Sequence, residues 1–435
     1  MLGPHGVADL GPLVVGVADG EDAHAAILPE RGARRRTGPR PARWQSGGMT
    51  RQLRTLLTDD LLARVHERAE THDRENTFPH DDLAELTAAG YLTAFVPQRL
   101  GGAGLTLEEV AREQVRLAGA APATALAVNM HLVVTGLAAL LSARGDDSVE
   151  FVLRDAAAGE VFAFGNSEAG NDLVMFGSRT RAVPQPDGGY RYHGTKIFTS
   201  LSPVWTRLAT FGLDDSDPDD PRLVHGVVAR ADGGVEARDD WDTLGMRATQ
   251  SATTVLDGAY APADRVYRRL PPGPSADPFV FALFAVFETL LAAVYTGIGR
   301  RALELGVAHA RRRTSFKHDG RPYAQDPDIR WRVADAALAQ DGAELQVFAL
   351  ARDVDEQADH GARWFAQLVG LKVRATETAR VVVDLALRVS GGGAYFTGSE
   401  LARLYRDVLA GIYHPSDDES AHATLATSVL GPVEG

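Results

Sequence analysis

Cysteine is absent from the 435-residue chain. Disulfides, thiolate nucleophiles and Cys-ligated zinc or iron–sulfur centres are therefore excluded, and a reducing, cytoplasmic setting is the expectation. Lysine is nearly absent too. Lys196, Lys317 and Lys372 are its three positions, and arginine supplies the other basic residues, in keeping with a GC-rich genome. Positive charge is short overall, since 45 Lys and Arg face 58 Asp and Glu for a formal net charge of −13. That balance argues against nucleic acid or an anionic membrane surface as the main partner, while leaving room for a local basic pocket for phosphate. Proline is missing from Asp328 to His414, which permits long uninterrupted helices.

What is present is ordinary for a globular protein: 45% hydrophobic and 24% charged residues, in a chain long enough for two or three domains. The first 48 residues are rich in Gly, Pro, Ala and Arg without sustained periodicity. They read as a disordered extension, or as sequence upstream of a start at Met49. One run, "PFVFALFAVFETLLAAVYTGIG" from Pro278 to Gly299, has the length and apolarity of a membrane span. Glu288 near its midpoint would be costly in lipid, and no second such run was expected, so a buried core helix with no membrane span is the reading.

The pattern along the chain is α, then β, then α. Helical spacing holds from Leu53 to about Ala157, with "FPHDDLAELTAAGYL" showing Pro79 at a helix entry and Gly90 at its end. Short alternating segments such as "GGYRYHGTKIFTS" mark a β domain over 161–268. A proline-rich linker then leads into amphipathic stretches typical of a helical bundle over 269–435, after an N-terminal helical domain over 49–160.

Taken alone, "SGGGAYF" (Ser390 to Phe396) ends a helix instead of following a strand, so its glycines read first as a helix stop. "RRRTSF" (Arg311 to Phe316) reads as the basic end of a helix. Three longer segments change that balance. "WDTLGMRATQSATTVLDGAYAP", "GGYRYHGTKIFTS" and "RVSGGGAYFTGSELARLYRD" together resemble the acyl-CoA dehydrogenase superfamily, with weaker echoes in "FPHDDLAELTAAGYLTAFVPQRLGGAGL" and "SEAGND". The resemblance covers about residues 49 to 430. It implies an N-terminal helical domain, a middle β-barrel, a C-terminal four-helix bundle and FAD.

Site residues follow from the same resemblance. Ser167, in a flavin-edge loop two residues shorter than usual, and Phe198, Thr199 and Ser200 would line the flavin. Arg313 and Phe316 match an Arg-x-x-Phe element, with Lys317 replacing the usual Gly. Gly391 and Gly392 match a turn that approaches the dinucleotide of another subunit, so the resemblance implies a homotetramer or homodimer. Small residues let backbone N–H groups approach phosphate, and arginine adds a charge-assisted bond.

The stretch "GIYHPSDDES" (Gly411 to Ser420) stands where the family pattern carries its catalytic glutamate, and has His414-Pro415 instead. Its acids read as a helix N-terminus with a Ser416–Glu419 capping box, and no metal site is expected. Two base candidates remain open. Glu288 lies one residue from the alternative glutamate position of a family minority, which falls on Phe287. Against it stand a structural role as a paired core glutamate and an offset that turns a helical side chain by about 100°. His414 is the other, with His131 as a possible companion; such histidines occur in flavin monooxygenases of this fold and titrate near neutral pH. Three functions follow: α,β-desaturation of an acyl thioester with reoxidation by an electron-transferring flavoprotein, a two-component monooxygenase fed by a flavin reductase, or a flavin-binding protein that has lost catalysis.

Overall fold

The computed structural model describes residues 53–431 apart from 174, together with Val433; the extension expected over 1–48 lies outside the described residues. Five helices come first: α1 (Asp59–Glu75), α2 (His80–Ala88), α3 (Leu107–Ala120), α4 (Pro122–Ala143) and α5 (Glu150–Ala157). Their ends are set by local chemistry. Thr58 caps α1 by accepting from the Leu61 N–H, and Thr106 and Glu109 form a reciprocal capping box on α3.

Eight strands follow: β1 (Phe162–Gly165), β2 (Arg181–Pro184), β3 (Tyr190–Lys196), β4 (Arg207–Asp214), β5 (Arg222–Ala229), β6 (Val235–Ala237), β7 (Thr254–Ala261) and β8 (Val266–Leu270). They form one sheet in the order β6-β7-β3-β2-β4-β5-β8, with β1 added in parallel to β4. Tyr190 and Tyr192 of β3 point inward while Arg191 points out, the alternation that a half-solvated strand requires.

The bundle is built from α6 (Pro278–Arg312), α7 (Pro327–Asp355), α8 (Trp364–Ser390), α9 (Glu400–Val408) and α10 (Asp418–Leu430), with a small hairpin of β9 (Thr314–Ser315) and β10 (Arg321–Pro322) after α6. Two helices are long and apolar enough to cross a membrane, because α4 meets the same criterion as α6. The expectation of a single such run therefore needs correcting. In both helices 89% of the apolar window is buried inside the protein, and α3, α4 and α6 share one hydrophobic core.

Candidate active site

Strand β1 ends in the loop that carries Ser167, and the Ser167 carbonyl accepts the Ile197 N–H at 2.9 Å. This places Ser167 beside Phe198, Thr199 and Ser200. The next residue, Glu168, organises the loop. Its carboxylate accepts from Asn171 Nδ2 (2.8 Å), Ser178 Oγ (2.8 Å), the Arg179 and Thr180 N–H groups (2.7 and 2.9 Å) and Thr180 Oγ1 (2.6 Å). Lys196 Nζ completes the set at 2.7 Å and also donates to the Phe211 carbonyl at 2.9 Å. Burial opposes ionisation of Glu168, yet the Lys196 charge and these hydrogen bonds hold its carboxyl down at about 2. Neither residue stands out from local pattern; the available signal was a lysine kept in a chain that otherwise uses arginine.

Phe198 and Leu201 both adopt left-handed backbone conformations, with φ of +57° and +67°. Such conformations are costly for residues with a side chain, and the surrounding bonds hold them in place. Phe198 remains 52% exposed and meets Trp241 edge-on at 6.1 Å. Ser200 Oγ pairs with Ser251 Oγ at 2.7 Å, and Ser251 Oγ donates to Thr249 Oγ1 at 2.8 Å. Two buried polar atoms here, Asn166 Oδ1 and Thr199 Oγ1, have no hydrogen-bond partner. An exposed aromatic ring beside orphaned polar atoms is a setting that suits a planar heterocycle with hydrogen-bonding edges.

The loop from Trp241 to Gln250 ties this edge to the bundle. A Cβ on Gly245 would stand 2.2 Å from the Arg406 carbonyl oxygen, so only glycine allows that approach. The next N–H, of Met246, donates to Asp407 Oδ1 at 2.6 Å, and Arg406 pairs with Asp73. Burial raises the Asp407 carboxyl to about 6 despite the Arg403 charge nearby.

The turn from Gly411 to Ser416 is held from below by Lys372 of α8, which donates to the carbonyls of Gly411, His414 and Ser416 at 2.9, 3.0 and 2.9 Å. Burial lowers the Lys372 pKa, but three acceptors match the three N–H bonds of an ammonium and hold it protonated. Glu288 lies in the same pocket. Its Oε1 accepts from Ser416 Oγ at 2.7 Å, its Oε2 is buried without a partner, and burial pushes its carboxyl up to about 8. The expected capping box is therefore replaced. Asp417 caps α10 by accepting from the Ser420 N–H, because the Ser416 hydroxyl is turned inward to Glu288. Phe287, one residue away on α6, is half-buried on a different face and packs against Phe164 of β1 at 6.0 Å.

His414 is joined to the buried Tyr295 through Nε2 and the phenol oxygen at 2.8 Å. Burial, and then the Lys372 charge, lower its pKa and keep the imidazole neutral. His131 is committed elsewhere: Nε2 bonds to the Leu92 carbonyl at 2.7 Å, and Nδ1 accepts the Phe162 N–H at 3.0 Å. It fastens β1 to the N-terminal helices. Burial drops its pKa from the ordinary 6.5 to about 4. Because the folded state binds this proton less readily, stability should be complete above pH 6.5 and decline as pH falls towards 4. Urea midpoints measured from pH 7.5 to 4.5 should show that decline, and His131→Asn should flatten it.

Arg313 and Gly391 meet at the far end of α6 and α8. Arg313 donates to the Val389 and Ser390 carbonyls, its guanidinium lies 4.7 Å over the Tyr323 ring, and it occupies the space a Gly391 Cβ would need. Gly391 has φ of +72°, and Gly392 has no neighbour within 4 Å of where a Cβ would stand. Phe316 is fully exposed.

Residues 49–160 match the family described as acyl-CoA dehydrogenase, N-terminal domain, and residues 282–413 match acyl-CoA dehydrogenase, C-terminal domain. The chain belongs to the acyl-CoA dehydrogenase family. It is similar to L-evernosamine nitrososynthase of Micromonospora sp., at 32% identity over 81% of this chain and 84% of that one. Amino sugar nitrososynthase DnmZ of Streptomyces peucetius is also 32% identical, over 86% of this chain and 92% of its own length. A solved structure of KijD3 in complex with FMN and dTDP-3-amino-2,3,6-trideoxy-4-keto-3-methyl-D-glucose has a TM-score of 0.76 at 29% identity, covering 86% of this chain and 92% of that one. Like other enzymes of the acyl-CoA dehydrogenase family, the chain is a flavin oxidoreductase.

Within that family framework the predicted cofactor-binding residues fall into two groups. Ser167 and Phe198 to Ser200 gather at the sheet edge that β1 shares with Phe287. Arg313, Phe316, Gly391 and Gly392 gather 26 residues further along, roughly 39 Å down the axis of α6. The two groups do not meet in one chain.

Proposed function

We propose that this protein is a flavin-dependent monooxygenase that takes reduced flavin from a separate reductase and oxidises the nitrogen of a small amine. The observation that carries this reading is the turn above α8. By the family's sequence pattern this turn carries His414-Pro415 where thioester desaturation would need a carboxylate, and Lys372 and Glu288 bond to the His414 carbonyl and the Ser416 hydroxyl of the same turn. The 32% identity to two nitrososynthases supports the same reading.

The residues that would hold the flavin ring are Ser167, Phe198, Thr199 and Ser200, and reduced flavin supplies oxygen activation there. Tyr295 orients His414. An imidazole that accepts the Tyr295 O–H at Nε2 carries its proton on Nδ1, so neutral His414 can donate a hydrogen bond from its other nitrogen.

We assign FAD as the flavin, with its nucleotide end seated against Arg313, Gly391 and Gly392 of a second copy. Exposed Phe316, Tyr395 and Phe396 at that corner supply an apolar surface for such a copy, in a dimer or tetramer. FAD should bind about tenfold more tightly than FMN in equilibrium titration; equal affinities would remove the dinucleotide seat.

The dehydrogenase reading keeps one observation on its side, because a carboxyl raised to about 8 suits a base. The two readings part under a simple assay. With NADH, a flavin reductase and an amino sugar, the monooxygenase consumes oxygen in step with amine loss, and His414→Ala slows it by about tenfold or more. Anaerobic bleaching of bound flavin by acyl-CoA, abolished in Glu288→Gln, would reverse the assignment.

A further inference from the structure

A run of hydrogen bonds crosses the loop between α9 and Ser200, and its direction is fixed link by link. It begins at Asp407, whose Oδ1 accepts the Met246 N–H at 2.6 Å. The Met246 carbonyl accepts in turn from Thr249 Oγ1 at 2.9 Å. A carbonyl can only accept, so the single proton of the Thr249 hydroxyl is committed there. Thr249 Oγ1 is then the acceptor in its 2.8 Å contact with Ser251 Oγ. Ser251 also has one hydroxyl proton, and Thr249 takes it. In the 2.7 Å contact between Ser251 Oγ and Ser200 Oγ the proton therefore comes from Ser200. Every hydroxyl in the run points away from Ser200, whose own oxygen keeps a lone pair and has no proton left to give.

The backbone around the run is pinned on both sides. Met246 and Gln250 adopt left-handed conformations, with φ of +53° and +44°, which are costly for residues with a side chain. Asp407 holds the first of them, and Gln250 is held through its Nε2, which donates to the Asn76 carbonyl at 2.9 Å. Across the gap the Thr249 and Gln250 carbonyls accept the Leu201 and Ser202 N–H groups at 3.3 and 3.1 Å. Ser200 and Ser251 are each 5% exposed and Thr249 is sealed, so little solvent reaches the hydroxyls to turn them.

We propose that this run presents Ser200 Oγ to the flavin ring as a fixed hydrogen-bond acceptor, which makes the site selective for reduced flavin. Oxidised flavin has a bare, accepting N5 at its ring edge, and two-electron reduction places a hydrogen on that nitrogen. A fixed acceptor bonds to the N–H of the reduced ring and meets only a lone pair on the oxidised one. Ser251 and Thr249 act through Ser200 and are positioning residues. Facing Ser200 Oγ to the ring rests on the flavin placement proposed above. A protein that collects flavin already reduced gains from an acceptor here, whereas one that must receive hydride at N5 gains from a donor.

Anaerobic equilibrium titration of the full-length protein with oxidised FAD and with photoreduced FAD measures both affinities without turnover. Ser251→Ala frees the Ser200 proton. It should strengthen binding of oxidised FAD and leave reduced FAD unchanged, so that the preference for reduced FAD narrows about tenfold. The reduction potential of the bound flavin should fall by about 30 mV, the equivalent of that ratio for two electrons. Ser200→Ala should narrow the preference as much, but by weakening reduced FAD alone. A preference and potential that folded Ser251→Ala leaves at wild-type values, or moves towards reduced FAD, would overturn the proposal. Phe198→Ala separates that failure from a misplaced ring. Weaker binding of both redox states in this variant supports the flavin placement; unchanged binding of both removes the placement and the proposal together.

Discussion

Lys196→Met is expected to destabilise the protein by roughly 3–5 kcal/mol, the usual cost of stripping one partner from a buried ion pair. Lys196 and Glu168 are both sealed from solvent, and their contact at 2.7 Å joins β3 to the loop that follows β1. Without the ammonium, Glu168 keeps its other donors but loses the charge that offsets its burial. Its carboxyl should then rise from about 2. A carboxyl held low in the folded state contributes stability above its ordinary pKa, which is lost as pH falls through the folded value. In the wild type that loss belongs between about pH 4.5 and 2. In Lys196→Met it should begin at higher pH, and flavin affinity should fall as the loop loosens. Adding Glu168→Gln should recover part of the stability. Guanidinium titrations across that pH range decide the matter: wild-type stability in the single variant would mean that the pair contributes little.

Lys372→Met should have a comparable effect by a different route. It strands three carbonyls, each left unsatisfied at a cost of about 1–3 kcal/mol, or roughly 3 kcal/mol or more together. Lys372→Arg should not rescue it, because a planar guanidinium cannot reproduce the three-way grip of an ammonium. The turn would loosen around His414, so kcat should fall in the surviving folded fraction with little change in KM. A folded Lys372→Met of unchanged stability would show that the turn holds itself, and unchanged turnover would separate its position from the chemistry.

The order of helical and β regions was legible because hydrophobic periodicity is a local signal; the helix entry at Pro79 and the stop at Gly90 lie where the residues indicate. The gathering of Ser167 with Phe198 to Ser200 was legible through resemblance, since both segments keep recognisable wording. The polar grips were not. Glu168 and Lys196 are 28 residues apart, Lys372 and Ser416 are 44 apart, and Glu288 and Ser416 are 128 apart. No local pattern encodes such pairings. Ser416 shows the consequence: its spacing to Glu419 predicts a cap, but a buried carboxyl group across the bundle claims its hydroxyl and Asp417 caps the helix instead. His131 is similar, since one residue on an apolar helix gave no hint that both its nitrogens were taken.

The arginine-rich make-up of this protein has a practical outcome. Lys196 and Lys372 are sealed at 0% and 1% exposure, so among the described residues Lys317 is the one lysine open to amine-directed reagents. Apart from the α-amino group of the chain, a succinimidyl dye or a short amine crosslinker would mark a single corner of the surface, next to Phe316. Its emission or its crosslinked mass would then read out whether neighbouring copies come together there.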